Sequence, residues 1–474
     1  MLTLYDTAAR QKVPFTSLEP DKVRMYSCGP TIYDYAHIGN FRSFMFADIL
    51  KRYLRYLGYE VFHVMNLTDV DDRIAERVRD EGIPLREFTD RFAQQFFDDL
   101  EILNVTPADR YPRATDHIAE MVELTEKLLD KGIAYNREGS VYYSIAKFPN
   151  YGEFARLDTE GMQDGARVDS DDYDKNNVRD FVLWKGWTEK DGDVAWDSPF
   201  GRGRPGWHLE CSAMSKKYLG EEFDIHTGGI DLVFPHHQNE IAQSEGVSGK
   251  PFVRQWMHNA FLNINGTKLS KSLGNHIRVR DIGSAEEICA FRFLVATSHY
   301  RTVLNYSDEV INASVSALKR LRRVRATVND VEVAVPNPDP VWQERIEIAR
   351  SNFREGMDDD LNCPKAIAAV FGLVHHVEKA LGDEGLNPEN ASAVGQYLEE
   401  INGVLGIFYE IEGAGADEDK HEMELSNELQ DLFERRLKAR SDKDWALADE
   451  LRDELAAAGV IVQDSQEGST WQWK

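Results

Sequence analysis

The sequence predicts an α/β fold: a doubly wound parallel sheet with an insertion, followed by a helical domain and a small C-terminal α+β domain. The first observation is that residues 23–28, VRMYSC, have the pattern of a short buried strand before a turn. Apolar residues at helical spacing follow over 41–59, and a second strand with its loop follows over 60–72. Strand, turn, helix and strand in this order open a parallel doubly wound sheet. The second observation is that strand–loop–helix alternation returns over 204–246, after a polar stretch.

Length and composition predict several domains without a membrane span. The chain has 474 residues, of which 42% are hydrophobic, so about three domains with cores of their own are expected. No apolar run reaches the roughly 18 residues that a transmembrane helix needs. The N-terminus lacks the layout of a signal peptide, and we therefore expect a cytoplasmic protein. Four widely spaced cysteines form no disulfide framework in a chain of this length.

The surface charge is strongly acidic. The 82 acidic residues outnumber the 55 basic ones, which gives a net charge of −27. Such a surface repels a polyanion at low salt, so any nucleic-acid binding has to use local basic patches and shape. Simple solubility explains the charge, but we favour a salt-adapted, halophilic source, because charges are screened within about 3 Å at molar salt.

The order of the segments gives the domain boundaries. Helical spacing over 115–135 ends at Gly132, and a strand-like segment and the polar stretch 159–180 follow it, which indicates an insertion into the sheet. The acidic, glycine-containing segment 411–424 has the composition of a linker. We assign the sheet domain to 1–118 and 201–250, the insertion to 119–200, a linking segment to 251–309, a helical domain to 310–410 and the C-terminal domain, with an amphipathic helix and a hairpin, to 425–474.

Four residues are candidate metal ligands. His236 and Glu240 are four residues apart, so on a helix both side chains lie on one face. Cys28 and Cys211 each stand at a predicted strand–helix turn. Two sulfurs, one nitrogen and one oxygen suit zinc, and all four residues lie near strand ends at one edge of one sheet. The alternative is an ordinary helix N-terminus together with buried, inert cysteines.

Two segments are candidate phosphate-binding elements. In HIGN, residues 37–40, Gly39 allows close approach to the backbone, His37 can donate a hydrogen bond, and the helix expected to begin near Phe41 favours anions at its N-terminus. In GTKLSKSLGN, residues 266–275, Lys268 and Lys271 stand in a glycine-bounded loop that can close on an anion. The alternatives are a hydrogen-bonded turn histidine and a solvated basic loop.

HIGN followed downstream by KLSKS resembles the paired motifs of class I aminoacyl-tRNA synthetases. CGPTIYDYAHIGN, NLTDVDD, RPGWHLECSAM, GGIDLVFPHHQNE and DDDLNCPKA together resemble the cysteinyl-tRNA synthetases, and the likeness runs through the C-terminal DWALADELRDELAAAGVIVQDS. The resemblance implies a monomer with a Rossmann-like catalytic domain. It also implies activation of L-cysteine by ATP to cysteinyl-adenylate and pyrophosphate, and transfer to the 3′ end of tRNA(Cys).

The resemblance also implies roles for particular residues. A zinc ion held by the four candidate ligands would bind the substrate's thiol, and Mg²⁺ would arrive with ATP. The implied cysteine-binding residues are Gly29, Thr31, Thr68 and Trp207. The implied ATP-binding residues are His37, Gly39, Asn40, Asp231 and Lys271, and the implied catalytic residues are His37, Asn40, Lys268 and Lys271. The domain at 310–410 would bind tRNA, with the basic run 319–325 suited to phosphates, and the domain at 425–474 would bind the anticodon, where Trp471 and Trp473 could stack on bases or pack into a small core.

The chain departs from the family's motif spelling at two positions. Asn40 replaces a histidine and can donate a hydrogen bond but carries no charge, and Leu269 replaces a methionine of similar volume. Three other functions stay open: a cysteine-adenylating ligase with an amino-sugar acceptor, a non-catalytic tRNA- or zinc-binding relative, and a zinc hydrolase. The C-terminal segment argues against the first, the complete motifs against the second, and a filled four-ligand site against the third.

Overall fold

The computed structural model of the chain consists of two compact units, Met1–Tyr409 and Glu410–Lys474. The described residues are 1–157, 167–168, 180–268, 276–331, 335–383, 385–411, 427–441, 444–457, 460–465 and 468–473. None of the helices in these ranges combines the length and the hydropathy that crossing a lipid bilayer requires.

The first unit is built on a four-stranded parallel sheet, as the sequence predicts. Its strands are β3 (Lys22–Ser27), β4 (Glu60–Met65), β10 (Phe223–Gly229) and β11 (Val253–Asn259). They pair in the order β11-β10-β3-β4, every pair parallel. All strand carboxyl ends therefore meet at one edge, where ligands bind in sheets of this kind. The edge strand β11 lies within 251–309, so the sheet extends past residue 250.

Helices cover the sheet and carry the loops of that edge. They are α1 (Ile38–Tyr56), α2 (Asp72–Glu81), α3 (Leu85–Ile102), α5 (Trp207–Leu219), α6 (His236–Ser248) and α7 (Ala285–Ala296). Helix α1 begins three residues before the predicted start at Phe41. The cause is local: His37 is the N-cap, and its ring accepts a hydrogen bond from the backbone N–H of Asn40. Gly39 is consequently part of the first helical turn.

The predicted insertion forms a mostly antiparallel sheet. After a 3₁₀ turn at Ala114–His117 come α4 (Ile118–Asp130), β5 (Ala134–Arg137), β6 (Ser140–Tyr143), β7 (Arg167–Val168), β8 (Asp180–Gly186) and β9 (Gly203–Pro205). Strand β8 lies between β6 and the two short strands β7 and β9. The ring of Tyr143 stacks on that of Phe181 with centroids 4.8 Å apart, which anchors this sheet in an apolar core.

Two small sheets and a helical region complete the first unit. The N-terminal hairpin pairs β1 (Thr3–Asp6) with β2 (Gln11–Pro14), and a three-stranded sheet contains β12 (Leu262–Ile264), β13 (Thr267–Lys268) and β14 (Leu304–Tyr306). The helical region consists of α8 (Asp308–Asn329), α9 (Pro340–Asp358), α10 (Cys363–Asp383) and α11 (Pro388–Leu405). This confirms the helical character predicted after residue 310.

The second unit contains two helices and a hairpin, as predicted. They are α12 (Asn427–Ser441), α13 (Trp445–Ala457), β15 (Val460–Ser465) and β16 (Gly468–Trp473). Phe433 and Leu455 form its buried core, with Leu429, Leu432 and Val462 packed against them. The predicted acidic linker, apart from Ile411, lies outside the described residues.

Candidate active site and metal centre

A cavity of about 430 Å³ lies at the carboxyl edge of the parallel sheet. Many of the predicted site residues border it: Cys28, Gly29, Thr31, His37, Gly39, Asn40, Trp207 and Asp231. Position 29 requires a glycine, because a Cβ there would lie 1.8 Å from the carbonyl oxygen of Asn66. The loop after β3 thus passes directly over the loop after β4, which shapes the cavity floor.

Four predicted metal ligands come together beside this cavity. The candidate ligand atoms of Cys28, Cys211, His236 and Glu240 all lie within 4.8 Å of one another. Helix α5 carries Cys211, and α6 carries His236 and Glu240 one turn apart, with 3.1 Å between His236 Nε2 and Glu240 Oε1. Cys28 is half-buried and the other three are buried, so only Cys28 of the four borders the cavity.

A second set of donors overlaps the first, and sequence reasoning missed it. His226 and His237 also converge with Cys28 and Glu240 within 4.8 Å. The distance from His226 Nε2 to Glu240 Oε2 is 3.0 Å, and that from His237 Nε2 to Cys28 Sγ is 3.2 Å. Each histidine looks ordinary in its own segment. The available signal was their position, since His226 lies on a strand that ends at the cavity and His237 directly follows a predicted ligand.

Further histidines orient the cluster. His208 Nδ1 lies 2.9 Å from His236 Nδ1, and His237 Nδ1 lies 2.7 Å from His258 Nε2. The hydroxyl oxygen of Thr7, after the N-terminal hairpin strand β1, lies 2.8 Å from His258 Nδ1. Hydrogen bonds of this kind fix the ring orientation of a ligating histidine.

Burial sets the protonation states of His237 and His258, whereas the pKa values of Cys28 and Cys211 shift in opposite directions. Burial lowers the pKa of His237 well below its ordinary value, and burial with the neighbouring His226 lowers the pKa of His258 to about 3, so both rings are neutral. Burial raises the pKa of Cys28, and the adjacent Cys211 and Glu240 raise it further. Burial opposes ionisation of Cys211 as well, but a hydrogen bond with Cys28 and the nearby His236 lower its pKa to about 6.

This donor set fits a zinc ion. Thiolate sulfur, neutral imidazole nitrogen and carboxylate oxygen are the ligands that zinc takes in proteins. Both oxygens of the buried Glu240 carboxylate face imidazole nitrogens, with His226 Nε2 3.0 Å from Oε2 and His236 Nε2 3.1 Å from Oε1. A cation is the group that such a concentration of acceptors accommodates best.

The side of the cavity next to the donor cluster is built on aromatic and threonine contacts. The Trp207 ring stacks on that of His236 with centroids 4.2 Å apart. Thr31 and Thr68 pair as an isolated parallel bridge. The hydroxyl of Thr68 donates to Glu210 Oε2 at 2.8 Å. Thr68, predicted to bind cysteine, is therefore buried, and it is Thr31 that borders the cavity.

The opposite side of the cavity is the N-terminus of α1. His37 and Asn40 form a reciprocal capping box: His37 Nδ1 accepts from the Asn40 N–H at 3.2 Å, and Asn40 Oδ1 accepts from the His37 N–H at 3.1 Å. Since Nδ1 is an acceptor, Nε2 carries the proton of a neutral ring. Arg73 also borders the cavity, with its guanidinium 4.2 Å over the Tyr33 ring, and sequence reasoning did not single it out.

Several predicted residues are not tested by the structure. Lys271 and Leu269 lie outside the described residues, and for Lys268 only the backbone is described, in strand β13. The side chains of Trp471 and Trp473 are likewise outside the described part, although both lie on β16.

The basic run 319–325 is engaged in contacts inside its own unit. Arg320 and Arg323 pair with Glu378 at 2.6 and 3.1 Å, and Arg325 pairs with Glu399 at 2.5 Å. Lys319 pairs with Glu286 at 2.9 Å, and Arg322 donates to the carbonyl oxygen of Tyr409 at 2.8 Å. These cations therefore join helices to one another, and the phosphate-binding role of the run stays a prediction.

The sequence matches three protein families in succession. Residues 14–316 match the family described as tRNA synthetases class I (C) catalytic domain. Residues 352–409 match the DALR domain, and residues 422–472 match the cysteinyl-tRNA ligase anticodon binding domain.

Full-length relatives and solved structures agree with these matches. The chain is 44% identical to the cysteine–tRNA ligase of Chlamydia caviae, over 98% of this chain and 97% of that protein. It is 41% identical to that of Geobacter sulfurreducens over the full length of both. The fold is similar to that of Mycobacterium tuberculosis methionyl-tRNA synthetase, with a TM-score of 0.57 at 15% identity over 81% of this chain and 90% of that one. It is also similar to a putative arginyl-tRNA synthetase from Campylobacter jejuni, with a TM-score of 0.54 at 13% identity over 81% and 92%.

Proposed function

The chain belongs to the cysteinyl-tRNA synthetase family of class I enzymes and is a cysteine–tRNA ligase, and we propose that a zinc ion held by Cys28, Cys211, His236 and Glu240 selects its amino acid. The observation that carries this proposal is the convergence of those four donor groups beside the cavity that His37 and Asn40 border. One cavity can then hold the thiol of cysteine at one end and ATP at the other.

A zinc ion held by Cys28, Cys211, His236 and Glu240 would supply a Lewis acid that favours the thiolate form of the substrate cysteine. The free thiol has a pKa of about 8.5, so ionisation at a cation is accessible, whereas the hydroxyl of serine is a harder and far less acidic group. An apolar pocket discriminates between such near-isosteres by only about 10²-fold. A metal–sulfur contact supplies the additional selectivity that faithful aminoacylation needs.

The surrounding residues place the amino acid. Trp207, held by its stacking on His236, closes the pocket over the thiol. Gly29 lets the substrate approach the backbone after β3. Thr31 contacts the amino acid at the cavity surface. Thr68 is buried and holds the backbone at Thr31 through the bridge between the two residues.

Activation requires positioning and charge stabilisation rather than a general base. The carboxylate of cysteine is already ionised, so it attacks the α-phosphate of ATP and pyrophosphate leaves. His37 and Asn40 contact the phosphates, with Nε2–H of His37 as a donor, while Gly39 packs under adenine and Asp231 holds the ribose. Lys271, assisted by Lys268, stabilises the departing pyrophosphate, which Mg²⁺ accompanies. These assignments follow the family's motifs.

The activated cysteine is transferred to tRNA(Cys), and the enzyme acts as a monomer. The match of residues 422–472 to an anticodon-binding domain supports a tRNA acceptor over an amino sugar, which has no anticodon to bind. With a net charge of −27, binding depends on local contacts, and we expect it to tolerate high salt.

The test is cysteine-dependent ATP–pyrophosphate exchange at low and high KCl, with serine as the competing amino acid. Cys211→Ser is compared with the matched control Cys289→Ser, a buried cysteine that lies outside the donor cluster. We expect exchange with cysteine alone, lost in Cys211→Ser together with bound zinc and retained in Cys289→Ser. Greater activity at high KCl would support the salt-adapted interpretation.

Two outcomes would contradict the proposal. Full exchange and cysteine selectivity in zinc-free Cys211→Ser would remove the metal from amino-acid selection. Exchange that is absent from the folded, zinc-loaded parent chain would favour the non-catalytic binding relative.

A further inference from the structure

The turn between α9 and α10 joins the helical region to the rest of the first unit through three consecutive carboxylates. Asp358 accepts from the Tyr53 hydroxyl on α1 at 2.7 Å and from the N-terminal ammonium group at 3.2 Å. Asp359 pairs with Lys12 on β2 at 2.5 Å. We call residues 358–360 the aspartate turn. Each of its carboxylates contacts a different element outside the helical region.

Asp360 is the centre of the aspartate turn. It is fully buried, and its Oδ1 accepts from the backbone N–H of Tyr5 at 2.8 Å and from the Tyr300 hydroxyl at 2.5 Å. Its Oδ2 accepts from Arg301 Nε at 2.8 Å. Both oxygens of this carboxylate therefore accept hydrogen bonds, from the N-terminal hairpin and from the segment before β14.

The backbone of the turn is strained at the same place. Asp360 has a φ of +60° and Leu361 a φ of +50°, and neither is a glycine. Side chains rarely adopt this left-handed region, and such residues persist where the surrounding contacts determine the conformation. Tertiary contacts rather than local preference thus set the path of the chain between α9 and α10.

The partners of Asp360 are themselves tied to the catalytic cavity. Arg42, in the second turn of α1, is buried and donates to the carbonyl oxygens of Tyr300, Thr302 and Phe261. Phe261 borders the cavity, and so does His37, the N-cap of α1. Hydrogen bonds of Tyr300 and Arg42 therefore connect the aspartate turn to the cavity wall at Phe261, and helix α1 joins Arg42 to its N-cap His37 at the same cavity.

We propose that the aspartate turn, with Asp360 as its central positioning residue, fixes the helical region relative to the catalytic cavity so that bound tRNA presents its 3′ end to the adenylate. This rests on the proposed function. Adenylate formation needs only the cavity, whereas transfer also needs the 3′ end of the tRNA to be positioned next to the adenylate. Loss of the turn's contacts should therefore impair transfer far more than activation.

The experiment compares Asp360→Asn with the parent chain in two assays. Asparagine keeps the oxygen that accepts hydrogen bonds from Tyr5 and Tyr300. Its amide NH2 group replaces the oxygen that faces Arg301, so that contact is lost while the side-chain volume is unchanged. We expect cysteine-dependent exchange within about 2-fold of the parent, and aminoacylation kcat/KM for tRNA lower by about 10- to 100-fold, the range that misplacement remote from the chemistry produces. The KM values for cysteine and ATP should not change.

The matched control is Asp339→Ala, at the opposite end of α9. Asp339 is the N-cap of α9 and bonds Asn390 within the helical region. Its substitution destabilises the same helix without touching the aspartate turn, so we expect exchange and aminoacylation to change together. The double variant Asp360→Asn/Arg301→Gln offers an amide acceptor to the new amide donor, and we expect it to regain part of the transfer activity.

The outcomes separate this proposal from the proposed function. Failure of exchange in the parent chain would overturn the function, whereas normal exchange with unimpaired transfer in Asp360→Asn would overturn only the positioning role. Equal losses in both assays, or the same selective loss in Asp339→Ala, would also overturn it. If Asp360→Asn does not fold, Arg301→Gln alone tests the same contact, and normal transfer in that variant would refute the proposal.

Discussion

The cluster around Glu240 and the cluster around Asp48 are both buried, and both join residues far apart in the sequence. They differ in their cations: arginine side chains of the protein pair with Asp48, whereas in the described part of the chain no such cation pairs with Glu240. Arg292 donates to Asp48 at 2.7 Å and to the carbonyl oxygens of Leu103, Leu405 and Gly406 at 2.8, 2.9 and 2.7 Å. Asp48 also accepts from Arg52 Nε at 2.9 Å and from the backbone N–H of Thr106 at 3.0 Å. Donors and acceptors match within this second cluster.

The first cluster has more acceptors than donors. Around Glu240 lie two cysteine sulfurs and three histidines, of which burial keeps His237 neutral, and nothing comparable to a guanidinium is among the described donors. Burial opposes ionisation of Asp48 as well, but the charges of Arg292 and Arg52 lower its pKa below the usual value. The difference teaches that a buried polar cluster complete in itself serves stability, whereas one that lacks a cation marks a binding site.

The largest expected effect is removal of a ligand from the incomplete cluster. His236→Ala should lose bound zinc and lower kcat/KM for cysteine in exchange by more than about 100-fold, because the remaining donors no longer complete the site. Metal content by mass spectrometry and exchange kinetics check this. His117→Ala is the control, since His117 is buried against Tyr218 outside the cluster. Retained zinc in His236→Ala would show that His226 or His237 is the ligand instead.

Removal of the cation from the complete cluster should act on stability alone. Arg292→Met should lower the free energy of unfolding by about 3–5 kcal/mol, because buried Asp48 keeps only Arg52 as a charge partner and three backbone carbonyl oxygens lose their donor. Urea unfolding of the first unit measures the change, and zinc content should not alter. Loss of zinc at unchanged stability would invalidate the distinction between the two clusters.

The pH dependence of stability should come from buried neutral histidines rather than from Asp48. Burial, with the nearby Lys51, lowers the pKa of His63 to about 3, against about 6.5 in an unfolded chain. Between these values only the unfolded chain binds the proton, so stability decreases as pH falls, by about 1.4 kcal/mol per pH unit for each such group. His63→Gln should remove that part of the slope between pH 6 and 5.

Asp48 acts in a lower pH range. Its folded pKa is below the ordinary carboxyl value, so its contribution is complete above about pH 3.9 and is lost only as pH falls further. Unfolding free energies of Asp48→Asn and the parent chain at pH 6 and 5 should therefore show the same slope. A flatter slope in this variant would assign the acid sensitivity to the ion cluster.

The smallest effect is expected at an exposed ion pair. Arg323 is 72% exposed where it pairs with Glu378, so Arg323→Met should change the free energy of unfolding by less than about 1 kcal/mol. Comparison with Arg292→Met in the same urea assay isolates the contribution of burial. A clear loss of tRNA affinity in Arg323→Met at unchanged stability would indicate that the basic run 319–325 binds tRNA phosphates.

The alternation of strands and helices was enough to predict the parallel sheet, because apolar runs at strand and helix spacing are local signals. The convergence of Cys28, Cys211, His236 and Glu240 was a matter of topology, and the carboxyl edge of one sheet made it predictable. The start of α1 was misplaced because a histidine side chain caps it. His226 and His237 were missed because their partners lie on other elements. The contacts of Arg320 and Arg323 depend on a carboxylate more than 50 residues away, which no local pattern reveals.

The capping box at the start of α1 has a consequence for how the motif can be dissected. His37 and Asn40 exchange two hydrogen bonds, so the first and fourth letters of the motif are one structural unit. Each side chain accepts one bond from the other residue's backbone N–H, so a substitution at either position removes one bond and loosens the turn that the other bond holds. The two effects should therefore be non-additive in a double-mutant cycle. A position-by-position scan would therefore mix the loss of the helix cap with the loss of any contact to ATP, and it would overstate the direct contribution of each side chain to ATP binding.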